Sequence, residues 1–134
     1  MRLSTNHLQE TYDRGDDVAL EIAGVLHFTT SLVYQNNLNN TAPGWVVTGI
    51  ADFVRLRAGL IDPAERAKGG AYDGPYSQTT AFFFDYLATR NPDIVHQLNQ
   101  RLLPEAGAWS DDAFVTFMGS DLDTLWAEYQ ASIP

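Results

Sequence analysis

Residues 44–59 read GWVVTGIADFVRLRAG. Trp45, Ile50, Phe53, Val54 and Leu56 recur at the spacing of a helix that buries one face, and Gly59 is a natural residue for the left-handed backbone just past a helix end. Asp52 interrupts that apolar pattern. Two readings of it stand side by side: the carboxylate caps or pairs with Arg55 or Arg57 nearby, or it lies in a water-poor cleft where it exchanges protons.

Upstream, residues 18–35 (VALEIAGVLHFTTSLVYQ) place Val18, Ile22, Val25, Leu26, Leu32 and Val33 at helical spacing, with Asp16 as the expected N-cap. The asparagine-rich NNLNNTAP between the two runs is loop chemistry, because Asn tolerates left-handed backbone and Pro disfavours helix at the residue before it. Downstream, Leu60 to Ser77 holds Pro63, Gly69, Gly70, Gly74 and Pro75 without sustained period, and a long ordered loop in a compact domain is often functional. TTAFFFDYLATR then predicts a helix on which Phe82, Phe83 and Phe84 cover nearly the whole circumference, so that helix is central or partly at an interface. Asn91 and Pro92 stop it and open the next, through Ile94, Val95, Leu98, Leu102 and Leu103. Ser110 is expected to cap a short helix ending at Gly119, and Ser120 with Asp123 forms a capping-box-like start to DLDTLWAEYQ. The segment up to Tyr12 reads as an extended start or a short helix. The expected fold is mainly α, six or so helices in a single domain over residues 1–134.

Composition supports one core: 134 residues, 45% hydrophobic and 12% aromatic. Seventeen acids against eight bases give a net charge of −9, and the bases are scattered singly. Phosphate neutralisation needs clustered cations, so nucleic acid is not an expected partner, and an anionic membrane surface is disfavoured for the same reason. No cysteine is present, which removes disulfides and thiolate metal sites. MRLSTNHLQETYDRGDD lacks the apolar core of a signal peptide and no apolar run nears the ~20 residues of a membrane span. A cytoplasmic protein is therefore expected, with export of a longer precursor left open.

EIAGVL with the following Gln35, APGW, GIADFVRLRAG, TTAFFFDYL, Leu98–Asn99 and LWAEY together resemble the plant-type basic secretory protein family, in the family's order and across nearly the whole chain. Its members are secreted plant defence-associated proteins and bacterial and fungal relatives that resemble zinc-dependent peptidases. The resemblance implies a zincin-like helical domain. It also implies an N-terminal portion contributing strands, which is absent or minimal here: either that layer has been shed or the sequence is N-terminally truncated. If shed, the apolar face that packs on the strands is exposed, and a homodimer is expected.

The family's HExxH motif falls one residue after EIAGVL, where two imidazoles at i and i+4 hold zinc and the Glu activates water. Here the positions read Phe28, Thr29, Thr30, Ser31 and Leu32. The acidic residue that the family carries just before GIAD, a third ligand by resemblance, is Thr48. Asp52 is kept, in the family an orienter of a ligand. His27 stands one residue off the ligand position, turned by about 100° on the helix, and has Ser31 as its i+4 neighbour, so no shifted zinc site is expected around it, with His7 and His96 only distant partners.

These substitutions imply a degenerate peptidase without metal or cofactor. The pocket residues expected are His27, Phe28, Thr29, Leu32, Thr48 and Tyr72. Phe28 and Leu32 read as core that fills the former cleft, or as the lining of an apolar pocket with Thr29 and Thr48 as neutral polar groups. The function expected is a pseudopeptidase-like binding or interaction domain for a small apolar ligand. The alternative is a metal-independent enzyme, an isomerase or cyclase of specialised metabolism, with Asp52 and Tyr76 as catalytic residues; by resemblance Tyr76 faces the cleft.

Overall fold

A computed structural model describes residues 4–38, 40–66, 68–74 and 78–134, and of residues 32 and 33 the backbone alone. Seven α-helices follow one another among the described residues: α1 (Thr5–Asp13), α2 (Val18–Thr29), α3 (Gly44–Arg57), α4 (Thr79–Arg90), α5 (Ile94–Arg101), α6 (Asp112–Met118) and α7 (Leu122–Ser132). No described residue lies in a strand, and the fold is mainly α. Among the described residues no helix is long and apolar enough to cross a membrane.

The centre is α4, on which Thr80, Ala81, Phe82, Phe83, Phe84, Leu87 and Ala88 are all buried. A helix apolar on every side must be covered on every side, and α3, α5 and α7 pack against it. The phenylalanine triplet is therefore enclosed by this chain's own helices rather than offered at an interface. Aromatic rings knit the surrounding helices to it: Trp45 of α3 stacks on Phe114 of α6 with centroids 6.1 Å apart, and Trp126 of α7 meets Phe83 edge-on at 5.3 Å. Gly49 lets α3 lie close to α4, since it faces Thr80 and Phe84 directly.

Local chemistry fixes the helix ends, in places one residue from the expected positions. Asp17, not Asp16, caps α2, accepting from the backbone N–H of Ala19 at 2.9 Å and of Leu20 at 3.2 Å; Asp16 instead takes the Arg14 guanidinium. Asp121, not Ser120, caps α7, accepting from the Thr124 N–H at 2.9 Å and its hydroxyl at 2.8 Å. At the end of α3, Gly59 has φ 74°. There the Leu60 N–H reaches Arg55 O at 2.9 Å and the Gly59 N–H reaches Leu56 O at 3.0 Å, the double closure expected of a helix ending on glycine. Asn91 does accept from Asp93 N–H at 3.2 Å, but α5 begins only at Ile94.

The helix predicted to run on to Gln35 changes form. Thr30–Tyr34 is a π turn, closed by the Gln35 N–H reaching back five residues to Thr30 O at 3.1 Å. Asn36 then clasps Asn99 of α5: its N–H donates to Oδ1 at 3.0 Å, its Nδ2 to the backbone O at 3.2 Å, and Asn99 Nδ2 returns a bond to Tyr34 O at 3.3 Å. The long loop after α3 is likewise pinned, with Arg66 on Asp85 at 2.8 Å and Lys68 Nζ on Ile133 O at 3.0 Å.

Candidate functional site

Between α2 and α3 the chain holds a buried carboxylate. Asp52 is 4% exposed, and its Oδ1 is 2.8 Å from His27 Nδ1 and 2.9 Å from Arg55 Nη1. Arg55 reaches it because residues three apart share a helix face; His27 comes from the facing helix. A carboxylate withdrawn from water is tolerable only when such donors replace the lost hydration. Asp52 is paired with Arg55, with His27 as an additional partner. Arg57 turns instead to Asp85 at 3.3 Å.

His27 faces α3 although it stands one residue off the family's ligand position. The face of α2 toward α3 runs through Ala23, 2% exposed, and Thr30, 5% exposed, and His27 lies four residues after the first and three before the second. Phe28, about 100° further round, is 56% exposed. It is therefore not core: it stands at the rim of the groove, and a filled cleft is not what this part of the helix builds.

That groove has a volume of about 390 Å³ and brings together His27, Phe28, Thr48 and Asp52. Leu20, Gly24, Arg55 and Gln78 complete its lining and were not among the expected residues. The signal for the first two is their spacing, eight and four residues before Phe28 along one strip of α2. Thr48 donates its hydroxyl to Gly44 O at 2.9 Å, which leaves its oxygen as an acceptor. Thr29 does not line the groove. Nor does Tyr72, which packs on Trp45 at 5.2 Å and Trp126 at 5.7 Å and donates its hydroxyl to Asp123 at 3.3 Å. Burial pushes the Tyr72 phenol above its ordinary pKa, and the neighbouring Asp123 adds to the shift. Tyr76 and the Leu32 side chain lie outside the described residues.

The donor set does not fit zinc. One imidazole is present, its Nδ1 is engaged by Asp52, and the Arg55 guanidinium occupies the same carboxylate oxygen with a positive charge of its own. His7 is paired with Glu21 at 2.6 Å, and His96 lines a different cleft. Among the described residues no group of three or more His, Cys, Asp or Glu side chains is placed to hold a metal ion.

A family model described as peptidase of plants and bacteria matches residues 1–129, nearly the whole chain. No curated protein matches, and no solved structure matches.

Proposed function

The chain belongs to the family of peptidases of plants and bacteria, and from that premise we propose that it is a pseudopeptidase: a metal-free binding domain whose α2–α3 groove takes a small, largely apolar molecule. One observation carries the reading. Asp52, the carboxylate retained where by resemblance the family works on zinc, is bound by His27 and Arg55 of the protein itself. Phe28, Thr29 and Thr48 stand at positions where the resemblance puts the first ligand, the base and the third ligand. Apolar side chains at the rim, Leu20 at 66% and Phe28 at 56% exposure, suit a hydrocarbon-rich ligand, and about 390 Å³ lies within the ~300–1,000 Å³ range of small-molecule sites.

The test is a thermal-shift screen of small neutral molecules against the wild type and Thr48→Trp, which fills the groove. Stabilisation that the Trp variant loses supports the reading; a screen without hits, or hits that persist in the variant, counts against it.

The His27–Asp52 pair favours a second reading, a metal-independent enzyme in the same groove. A carboxylate on Nδ1 orients the ring and sets Nε2 as the atom that takes or gives a proton, the role that isomerisation or cyclisation of a small apolar substrate requires. Asp52→Asn separates the two: ligand binding persists in both cases, while turnover of any substrate falls only if the pair is catalytic.

A second copy of the chain is the proposed protein partner. Among the described residues, large exposed apolar side chains concentrate in one stretch, Tyr12, Leu20, Ile22, Phe28, Tyr34 and Leu38, with Val115 outside it; apolar surface of this kind commonly marks an interface. The cytoplasmic placement expected from the sequence is kept as part of this reading.

A further inference from the structure

The α2–α3 groove holds a base and a positive charge against one hydrocarbon lining. A carboxylate accepts hydrogen bonds and donates none, so in the 2.8 Å contact between His27 Nδ1 and Asp52 Oδ1 the hydrogen sits on Nδ1. The neutral ring then carries its lone pair on Nε2. The buried carboxylate takes the Nδ1 edge, and the ring, 23% exposed, lines the groove.

Arg55 meets the same carboxylate oxygen at 2.9 Å through Nη1. It is the one Lys or Arg among the described residues that line the groove, and a guanidinium has five N–H donors, of which this contact takes one. Gln78, at the N-cap of α4, spends no side-chain bond on capping that helix and lines the groove with the other two. Leu20 and Phe28 add hydrocarbon to the same lining.

The chemistry open to this set is narrow. Among the described residues that line the groove there is no Ser, Cys or Lys, and the Thr48 hydroxyl gives its hydrogen to Gly44 O at 2.9 Å rather than to His27. The lining therefore offers no activated nucleophile for covalent attack. A base with a cation beside it fits a proton leaving carbon, where the electrons need a stabilised oxygen to rest on.

We propose that the groove acts on a small apolar ketone, drawing a proton from the carbon beside the carbonyl and returning it. His27 Nε2 takes the proton as the C–H bond breaks. That electron pair forms the C=C bond of an enolate, and the carbonyl π pair moves onto oxygen, where Arg55 and Gln78 stabilise it. Nε2 then gives the proton back to carbon, which restores the carbonyl and the neutral ring; nothing is oxidised, reduced or hydrolysed. The proposal rests on the enzyme reading of the same groove.

The test incubates the protein with 2-tetralone in D2O and follows deuterium entering the carbons beside the carbonyl by NMR, while amide shifts of labelled protein report binding. The expected result is exchange that saturates with 2-tetralone and runs about a hundredfold above buffer, the lower end of what a positioned base supplies. 2-Naphthol, planar and with its oxygen where the enolate carries it, inhibits. His27→Asn keeps an N–H for Asp52 and has no base; it binds 2-tetralone and exchanges at the buffer rate. Gln78→Leu slows exchange about tenfold, the worth of one hydrogen bond, with binding little changed. Binding without exchange above buffer, or exchange that survives in a folded His27→Asn protein, overturns the proposal and leaves the groove a binding site. Absence of saturable binding by either compound overturns the proposal and the groove reading together. If His27→Asn does not fold, 2-naphthol on wild type decides, and exchange that it does not suppress overturns the proposal.

Discussion

Gly49 of α3 and Thr80 of α4 touch with no room between them: a Cβ placed on Gly49 overlaps the Thr80 side chain and presses on Phe84 Cε2 at 3.1 Å. Alanine in a helix interior gains about 1 kcal/mol over glycine, but forcing a methyl into a packed contact costs about 1–3 kcal/mol, and both opposing atoms are held in the core. Gly49→Ala is therefore expected to lower stability on balance in denaturant titration. Thr80→Ser, which removes Cγ2 and keeps the hydroxyl that bonds Tyr72 O, should recover part of the loss in the double variant. An unchanged midpoint for Gly49→Ala would show that the helices are free to part.

Removing the charge of Asp52 leaves His27 and Arg55 facing an empty acceptor in a place where Asp52 is 5% and Arg55 15% exposed in their side chains. Breaking a buried pair from one side costs about 3–5 kcal/mol, and Asp52→Ala is expected in that range. His27→Ala and Asp52→Ala should be non-additive in a double-mutant cycle, since both remove the same contact. Additive losses would mean that the contact carries no coupling energy.

Protein prepared without a histidine tag should contain no stoichiometric zinc by elemental analysis, and a chelator should leave its melting temperature unchanged, because binding that acts only on the native state would otherwise show as stabilisation. One equivalent of zinc would overturn the pseudopeptidase reading outright.

Asp121 has its pKa lowered, chiefly by the Thr124 backbone N–H and then by the Thr124 hydroxyl. A carboxylate whose folded pKa lies below its unfolded value stabilises above the unfolded value and loses that contribution as pH falls through the folded one. The α7 cap should therefore weaken below about pH 4, and Asp121→Asn should flatten that part of the stability profile. An identical acid limb in the variant would remove Asp121 as a source.

Light scattering at micromolar concentration should give the mass of a dimer, and Leu20→Ser with Phe28→Ser should return it to a monomer. A strict monomer in the wild type removes the second copy from the proposed partners.

Most of the helical frame was legible because it rests on local signals: the 44–59 periodicity, the Gly59 and Gly119 stops and the apolar run 79–88 all point to one structure. Where two candidate caps were adjacent, as with Asp16 and Asp17 or Ser120 and Asp121, the choice depended on which carboxylate reached the second or third N–H, and spacing alone does not separate neighbours. The resemblance implies that other residues stand at the family's zinc positions, but it does not show what Asp52 binds instead. His27 and Asp52 are 25 residues apart in sequence, and their meeting depends on how α2 lies against α3. The exposure of Phe28 was hidden for the same reason, since an aromatic residue in an apolar run reads as core until the facing helix is known.

The five-residue closure from Gln35 to Thr30 has a bearing on what this stretch of backbone can hold. Two histidines placed at positions 28 and 32 would meet one cation only on an α-helix, where residues four apart stack on one face. Here α2 ends at Thr29, and position 32 falls inside the wider π turn, which displaces it from the line of position 28. Two such substitutions alone would therefore not align a metal pair; the backbone would first have to be reshaped into an α-helix through position 32.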